Sequence, residues 1–309
     1  MKVFVTGVSG QLGHDVMEEL HKRGYIGIGS GRSSEYNGQI KDSCVKSMPY
    51  VQLDITDQET VRRTLNDIQP NVVIHCAAWT AVDLAEENEY KSAVWDINVK
   101  ATRNIAETCN FLGCKMIYIS TDYVFDGQGE EPWRPDETSY HPLNYYGQTK
   151  FEGEQAVANS MLKYFIVRIS WVFGRNGNNF VKTMLNLGKR YPKLRVVCDQ
   201  IGTPTYTRDL SRLLVDMIQT EKYGYYHVSN EGGYISWYDF ASEIFRQAEI
   251  DIDVEPVTTV EYGLSKAARP YNSRLDKSKL MEQGFESLPT WKDALRRFMN
   301  EIEEKSWDR

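Results

Sequence analysis

Long apolar runs are absent from this chain: nothing in its 309 residues approaches the roughly 20 apolar positions that a membrane-spanning helix needs. An excess of positive charge is absent too. Lys and Arg number 36 against 43 Asp and Glu, a net charge of −7, which excludes a broad electrostatic footprint for nucleic acid. A few local arginines can still hold a phosphate on such a protein. Cysteine is sparse, with Cys44, Cys76, Cys109, Cys114 and Cys198 scattered and no Cys-x-x-Cys pair among them. That spacing excludes a disulfide framework and a thiolate zinc site and suits a reducing compartment. Internal repeats and low-complexity tracts are missing as well. Met1-Lys2 runs straight into a strand-like VFVTG, leaving no room for a signal peptide, so a soluble cytoplasmic protein without membrane attachment is expected.

What is present suffices for a real core. Apolar residues make up 41% and charged residues 26%, against the composition of a disordered chain, and the length allows one large or two ordinary domains. The first half alternates short β-branched runs with helical patterns. Lys2–Thr6, Tyr25–Gly29, Val51–Leu53, Asn71–Cys76, Lys115–Ser120 and Tyr164–Ile169 read as strands, several apolar at consecutive positions as parallel strands covered on both faces are. Helical patterns lie near Gln11–Arg23, Asp57–Ile68, Tyr90–Leu112 and Tyr146–Asn159. Asp57 with Thr60 behind it starts one of them, and Pro70 stops it. Such alternation predicts an α/β doubly wound parallel sheet.

Beyond Trp171 the rhythm loosens. Helices are expected near Arg208–Thr220, Trp237–Ala248 and Trp291–Lys305, and strands at Val196–Cys198 and Tyr225–Ser229. The expected division is a dinucleotide-binding domain over 1–171 and a smaller mixed α/β substrate domain over 172–309, with a part such as 202–224 packing back on the first. Residues 31–50 read as a polar surface insertion.

Gly7-Val8-Ser9-Gly10-Gln11-Leu12-Gly13 follows the first strand directly and opens a helix. Glycines there permit a tight turn and close backbone approach to a pyrophosphate, and the helix N-terminus offers free N–H groups and a positive dipole end. The strand–turn–helix context is what separates this from an ordinary tight turn. After the second strand stands Gly29-Ser30-Gly31-Arg32, without the acid that holds the ribose of NAD. Arg32 there suits a 2′-phosphate and leans the site towards NADP; read otherwise, it is a solvated surface arginine. Asp54-Ile55 and Ala77-Ala78 follow the third and fourth strands, where an adenine edge and the body of a cofactor would lie.

Tyr146-Gly147-Gln148-Thr149-Lys150 places a phenol and an ammonium at i and i+4 on one helix face. A free phenol titrates near 10, and a neighbouring ammonium is expected to pull that value down and make Tyr146 a proton donor to a carbonyl. Ser120-Thr121 at the preceding strand end should reach the same mouth of a parallel sheet, where Thr121 would polarise the carbonyl.

These elements, with HCAAWTAVDLAEE (His75–Glu87), INVKATRNIAE (Ile97–Glu107), STDYVFDG (Ser120–Gly127), YYGQTKFEGE (Tyr145–Glu154), RISWVFG (Arg168–Gly174), NNFVKTML (Asn178–Leu185), DQIGTPTYT (Asp199–Thr207) and RPYNSRLD (Arg269–Asp276), closely resemble the dTDP-4-dehydrorhamnose reductase family of the extended short-chain dehydrogenases/reductases. The resemblance runs over nearly the whole chain. It implies a Rossmann fold and NADPH- or NADH-dependent reduction of the 4-keto group of dTDP-4-dehydro-β-L-rhamnose, a nucleotide-sugar substrate. It places Thr121, Tyr146 and Lys150 on the family's catalytic trio, and Gly10, Gln11 and Leu12, behind Gly7, on its pyrophosphate turn. Asp54 and Ile55 fall on its adenine contact, and Ala77, Ala78 and Trp79 on its nicotinamide-side loop. Thr121, Asp122 and Trp171 fall on sugar-contacting positions, with Thr80, Val82 and Tyr123 beside them. Arg269 and Arg274 are candidates for a diphosphate, since Arg offers planar paired donors. Some members build a metal-bridged dimer from glutamates, one near the start of the first helix. Here that stretch reads His14-Asp15, so no metal is carried over and a homodimer stays open.

Two other readings compete. A 4,6-dehydratase of the same superfamily needs a carboxylate base after the Thr-Asp pair, where this chain has Tyr123, and epimerases hold the ribose with the acid missing after the second strand. Proteins resembling the regulatory β subunit of methionine adenosyltransferase keep the architecture without the catalysis. The intact Thr121, Tyr146 and Lys150 favour the enzyme.

Overall fold

The computed structural model describes residues 1–40 and 42–303. The first half runs β1 (Lys2–Thr6), α1 (Gln11–Lys22), β2 (Ile26–Gly31), β3 (Tyr50–Gln52), α2 (Gln58–Ile68), β4 (Val72–His75), α3 (Val82–Ala85), α4 (Asn88–Trp95), α5 (Thr102–Leu112), β5 (Lys115–Thr121), α6 (Tyr145–Ser160) and β6 (Tyr164–Ile169). The second continues with β7 (Val172–Phe173), α7 (Phe180–Gly188), β8 (Lys193–Val197), β9 (Ile201–Gly202), β10 (Thr205–Tyr206), α8 (Thr207–Met217) and β11 (Gly224–Val228). It ends with β12 (Ile235–Ser236), α9 (Trp237–Gln247), β13 (Asp253–Val257), α10 (Thr259–Tyr262), α11 (Ser278–Glu282) and α12 (Trp291–Glu303). No helix among the described residues is long and apolar enough to cross a membrane.

Seven parallel strands form the central sheet in the order β3-β2-β1-β4-β5-β6-β11. Register pairs Val5 with Gly29 on one side and Ile74 on the other. Alternate residues of one strand enter opposite cores: Val3 and Val5 pack with Val16, Met17 and Leu20 of α1, and Phe4 with Val61 and Leu65 of α2 and Ile105 of α5. Both faces are covered, so consecutive positions are apolar, each fully buried Val or Leu contributing about 2 kcal/mol. The strand order reverses between β1 and β4, which opens a crevice at the carboxyl ends of those strands.

Three expectations are corrected. The strand Gly224–Val228 is not part of a separate second unit but pairs with β6, beyond the 202–224 part expected to pack back, in which α8 carries Leu210 and Leu214 into the same core as α1. Without β11, β6 would be an open edge with unpaired backbone groups, so the returning segment runs on through Val228. The insertion over 31–50 is not merely a polar surface loop, because Tyr36 and Val45 are buried in that core and Ser43 caps a single helical turn at Cys44–Ser47. The run Tyr90–Leu112 is not one α-helix: Asp96–Ala101 forms a wider π-turn between α4 and α5.

The remaining elements build a second core around Phe173, Tyr206, Phe240 and Phe298, from α7, α9, α12 and the parallel pair β8–β13. The part of the expected Trp291–Lys305 helix beyond Glu303 lies outside the described residues.

Candidate active site

A cleft of about 960 Å³ opens at the carboxyl ends of β1 and β4. Its floor is the glycine turn. Gly7 has a φ of +70°, and a Cβ there would lie 2.8 Å from the Ala77 backbone; one on Gly13 would lie 2.4 Å from the Gly7 carbonyl oxygen. Only glycine lets the strand end, turn and helix approach this closely. Helix α1 begins at Gly10 with no side-chain cap and no acid in its first turn, so its leading N–H groups are free for an anion. The turn is held from the second half of the chain. Asn176, fully buried, donates to the carbonyls of Ser9 (2.8 Å) and Gly10 (3.2 Å) and accepts from the Gln39 amide, while Asn179 donates to the Gln11 side chain at 2.9 Å. Nothing in the turn-rich run Asn176–Asn179 distinguishes these two from solvated loop residues by sequence.

Beside the turn, Arg32 is exposed and lines the cleft, with Ser33 and Asn37. Asn37 accepts from Ser9 Oγ at 2.5 Å and donates to Ser33 at 2.9 Å, which closes a polar corner without a carboxylate at the end of β2. Asp54 and Ile55 line the adjoining wall. A glycine cradle that no Cβ could share, an uncapped helix end and this corner fit a phosphorylated dinucleotide such as NADP.

Ala77 and Ala78 line the cleft past β4; Trp79 does not. Its indole donates to the Ala81 carbonyl and packs on Tyr90 at 5.4 Å, and its amide donates to Asn98 at 2.8 Å. Asn98, in the π-turn, also donates to Thr149 of α6 at 3.0 Å and so ties this loop to the helix that carries Tyr146 and Lys150. His75 is packed within the fold: it lies between Thr6 (2.7 Å) and Thr102 (3.2 Å), and burial, aided by Lys150, lowers its pKa to about 3. Burial pushes the neighbouring Cys76 thiol up to about 12.

Helix α6 is capped by Asn144, which accepts from Gly147 N at 2.8 Å, and it carries Tyr146 and Lys150 into the cleft opposite Thr121 at the end of β5. The electrostatics differ from expectation. Lys150 donates to the Ile119 carbonyl at 2.7 Å and lies 4.1 Å from the centre of the Tyr118 ring, so it does not lower the Tyr146 phenol. Enclosure of the Tyr146 hydroxyl, followed by the charge of Asp122, pushes its pKa up, with a Thr121 hydrogen bond working the other way. The phenol is therefore a fully protonated donor at neutral pH, the state a carbonyl reduction needs. Burial brings Lys150 down to about 7, opposed by Glu154. Glu154 is itself paired with Arg168 through two hydrogen bonds of 2.8 and 2.7 Å, both side chains fully buried.

On the outer side of the cleft stand Thr80, Val82, Asp122, Tyr123 and Trp171. Tyr123 meets the Tyr146 ring edge to face at 5.8 Å. Asp122 accepts from Thr121 Oγ1 at 3.0 Å through one oxygen while its other buried oxygen has no partner, and burial raises its pKa to about 6. Trp237, absent from the sequence-based candidates, also lines this wall. The two arginines expected to bind a diphosphate do not reach the cleft. Arg269 is held by Asp83 at 2.7 Å, and Arg274 by the Asn272 side chain at 3.0 Å. His14, Asp15 and Glu18 converge within 4.8 Å on the far side of α1, but His14 is bonded to Ser43 and Asp15 to Thr207, as a packed polar cluster would be.

The model of the RmlD substrate binding domain family matches residues 1–304. The chain belongs to this family. Among its relatives, a spore coat polysaccharide biosynthesis protein, SpsK, of Bacillus subtilis is 37% identical, the match covering 97% of each chain. A dTDP-4-dehydrorhamnose reductase of Aggregatibacter actinomycetemcomitans is also 37% identical, over 96% of this chain and 97% of that one. The crystal structure of a dTDP-4-dehydrorhamnose reductase from Bacillus anthracis in complex with NADP superposes with a TM-score of 0.86 at 40% identity, covering 97% of this chain and 99% of that one. The dinucleotide cleft and the Thr121–Tyr146–Lys150 arrangement are thus features of an RmlD-family protein.

Proposed function

We propose that this protein reduces the 4-keto group of dTDP-4-dehydro-β-L-rhamnose to dTDP-L-rhamnose with NADPH or NADH. The observation that carries the reading is the meeting of a protonated Tyr146 phenol with Thr121 at the mouth of a cleft whose other half is a phosphate-binding glycine turn. The uncapped amides of Gln11 and Leu12 hold the pyrophosphate, Asp54 and Ile55 flank the adenine, Arg32 faces the adenosine ribose, and Ala77 and Ala78 leave room at the strand end. A dihydronicotinamide bound there supplies a hydride. Thr121 Oγ1 and the Tyr146 hydroxyl hold the substrate carbonyl oxygen, and Tyr146 passes its proton to that oxygen as the carbon is reduced. An alkoxide is more basic than a phenolate, so the transfer runs downhill even from a phenol whose pKa is raised. Lys150, brought down to about 7 by burial, stands in the same cleft, where it can give up or take a proton near neutral pH. Purified protein mixed with the 4-keto sugar nucleotide should consume NADPH one for one with formation of the L-rhamno product; absence of turnover together with tight association with a synthetase would favour a regulatory protein instead.

A further inference from the structure

Trp171 is one of three non-glycine residues with positive φ among the described residues, at 51°. That conformation costs a bulky residue about 1 kcal/mol and persists only where the surroundings over-determine it. Here they do. The Trp171 carbonyl accepts from the Thr205 amide, the Ser170 carbonyl from Thr205 Oγ1 at 2.6 Å, and Ser170 Oγ donates to the Thr203 carbonyl. The pinned backbone turns the Trp171 indole flat against that of Trp237, with ring centres 3.7 Å apart and planes 14° from parallel. Trp237 is itself fixed. It opens α9 directly after a capping box between Ser236 and Asp239, and Phe180 backs its ring at 4.5 Å. Gly202 leaves space for the pair, because a Cβ there would lie 2.9 Å from Trp171 Cε2.

Neither indole is fully buried, and both face the cleft beside Asp122 and Ser170. The strained backbone and the stacked, half-open pair make a flat aromatic wall beside the polar groups of Asp122 and Ser170. A ring of a sugar that carries a methyl in place of a hydroxymethyl group presents a face rich in C–H bonds, which matches that wall. We infer that Trp237 is a positioning residue: stacked on Trp171, it fixes the wall against which the reacting 6-deoxyhexose lies and thereby sets preference among 4-keto sugar nucleotides. The inference rests on the reductase reading and names the feature of the cleft that selects the sugar.

The test compares wild type with Trp237→Phe and Trp237→Leu. Face-to-face indoles produce an exciton couplet in far-ultraviolet circular dichroism, which should vanish in both variants and report loss of the pair directly. For Trp237→Leu, kcat/KM for dTDP-4-dehydrorhamnose should fall about tenfold, the size of a lost aromatic pair, while the KM for NADPH stays within about twofold. Trp237→Phe should recover most of the loss, and its smaller change keeps the test alive if the Leu variant folds poorly. Quenching of tryptophan fluorescence by dTDP-rhamnose should weaken in parallel. A vanished couplet with unchanged kcat/KM, or equal losses of sugar-nucleotide and NADPH affinity, overturns the inference. If wild type consumes no NADPH with this substrate, the reductase reading fails, and the quenching series by itself decides whether the indole pair binds the sugar nucleotide.

Discussion

Replacing Asp122 by Asn should make the protein more stable while making it a poorer catalyst. The carboxyl is 2% exposed, one oxygen accepts from Thr121, and the other meets no donor. Burial raises its pKa from 3.8 to about 6, opposed by the hydrogen bond from Thr121. The native protein therefore holds this proton more tightly than the unfolded chain does, and stability is lost as pH rises through the window between those two values. A difference of about 2 pKa units at about 1.36 kcal/mol each gives a cost near 3 kcal/mol once the native carboxyl is fully ionised. Asn keeps the shape and the acceptor towards Thr121 but carries no charge. Urea unfolding of both proteins should show the variant ahead by about 3 kcal/mol near pH 8, by about half that near pH 5 and by little near pH 4, with unchanged m-values. A gain independent of pH would trace to the amide rather than to the missing charge. No gain near pH 8 would mean that the carboxylate is adequately solvated. Either result refutes the argument. Turnover should fall in the same variant, because this carboxyl stands beside Thr121 on the sugar side of the cleft, where stability and function pull apart.

Other substitutions probe other parts of the site. Tyr146→Phe should leave NADPH binding nearly intact while turnover drops by about two to four decades, the usual loss when a general acid is removed; near-normal turnover would end the role given to Tyr146. Arg32→Ala should weaken NADPH by about tenfold and NADH little, as titrations of intrinsic fluorescence can show, whereas equal effects on both would mean that Arg32 does not read the 2′-phosphate. Glu154→Gln should cost about 3–5 kcal/mol in urea unfolding, because it leaves the fully buried Arg168 guanidinium without its counter-charge. A loss below about 1 kcal/mol would show that the surrounding Tyr140 hydroxyl and Pro135 carbonyl suffice for Arg168.

Much of this site was legible because its chemistry is local in sequence. The glycine turn joins one strand to one helix, and Tyr146 and Lys150 are one helical turn apart, so spacing alone brings each set together. Asp57 capped its helix through Thr60 as the sequence suggested, with bonds of 3.0 Å to the amide and 2.7 Å to the hydroxyl. Most of the errors come from contacts far apart in the chain. Arg269 and Arg274 looked free until Asp83, far away in the chain, and the Asn272 side chain were seen to hold them. Asn98, Asn176 and Trp237 were invisible because each acts on a partner from a different element.

The sequence by itself determined the class of fold, the strand–glycine turn–helix unit at its start and the shared helix face of Tyr146 and Lys150, since each follows from residue type and from the periodicity of a single strand or helix. Tertiary structure alone decided which charges are buried, and with them that Tyr146 is raised rather than lowered, that Lys150 comes down to about 7 and that Asp122 rises to about 6. It also decided that β11 completes the sheet and that Trp171 faces Trp237. Solvation and long-range contact depend on what the rest of the chain places around a group, and no local pattern records that.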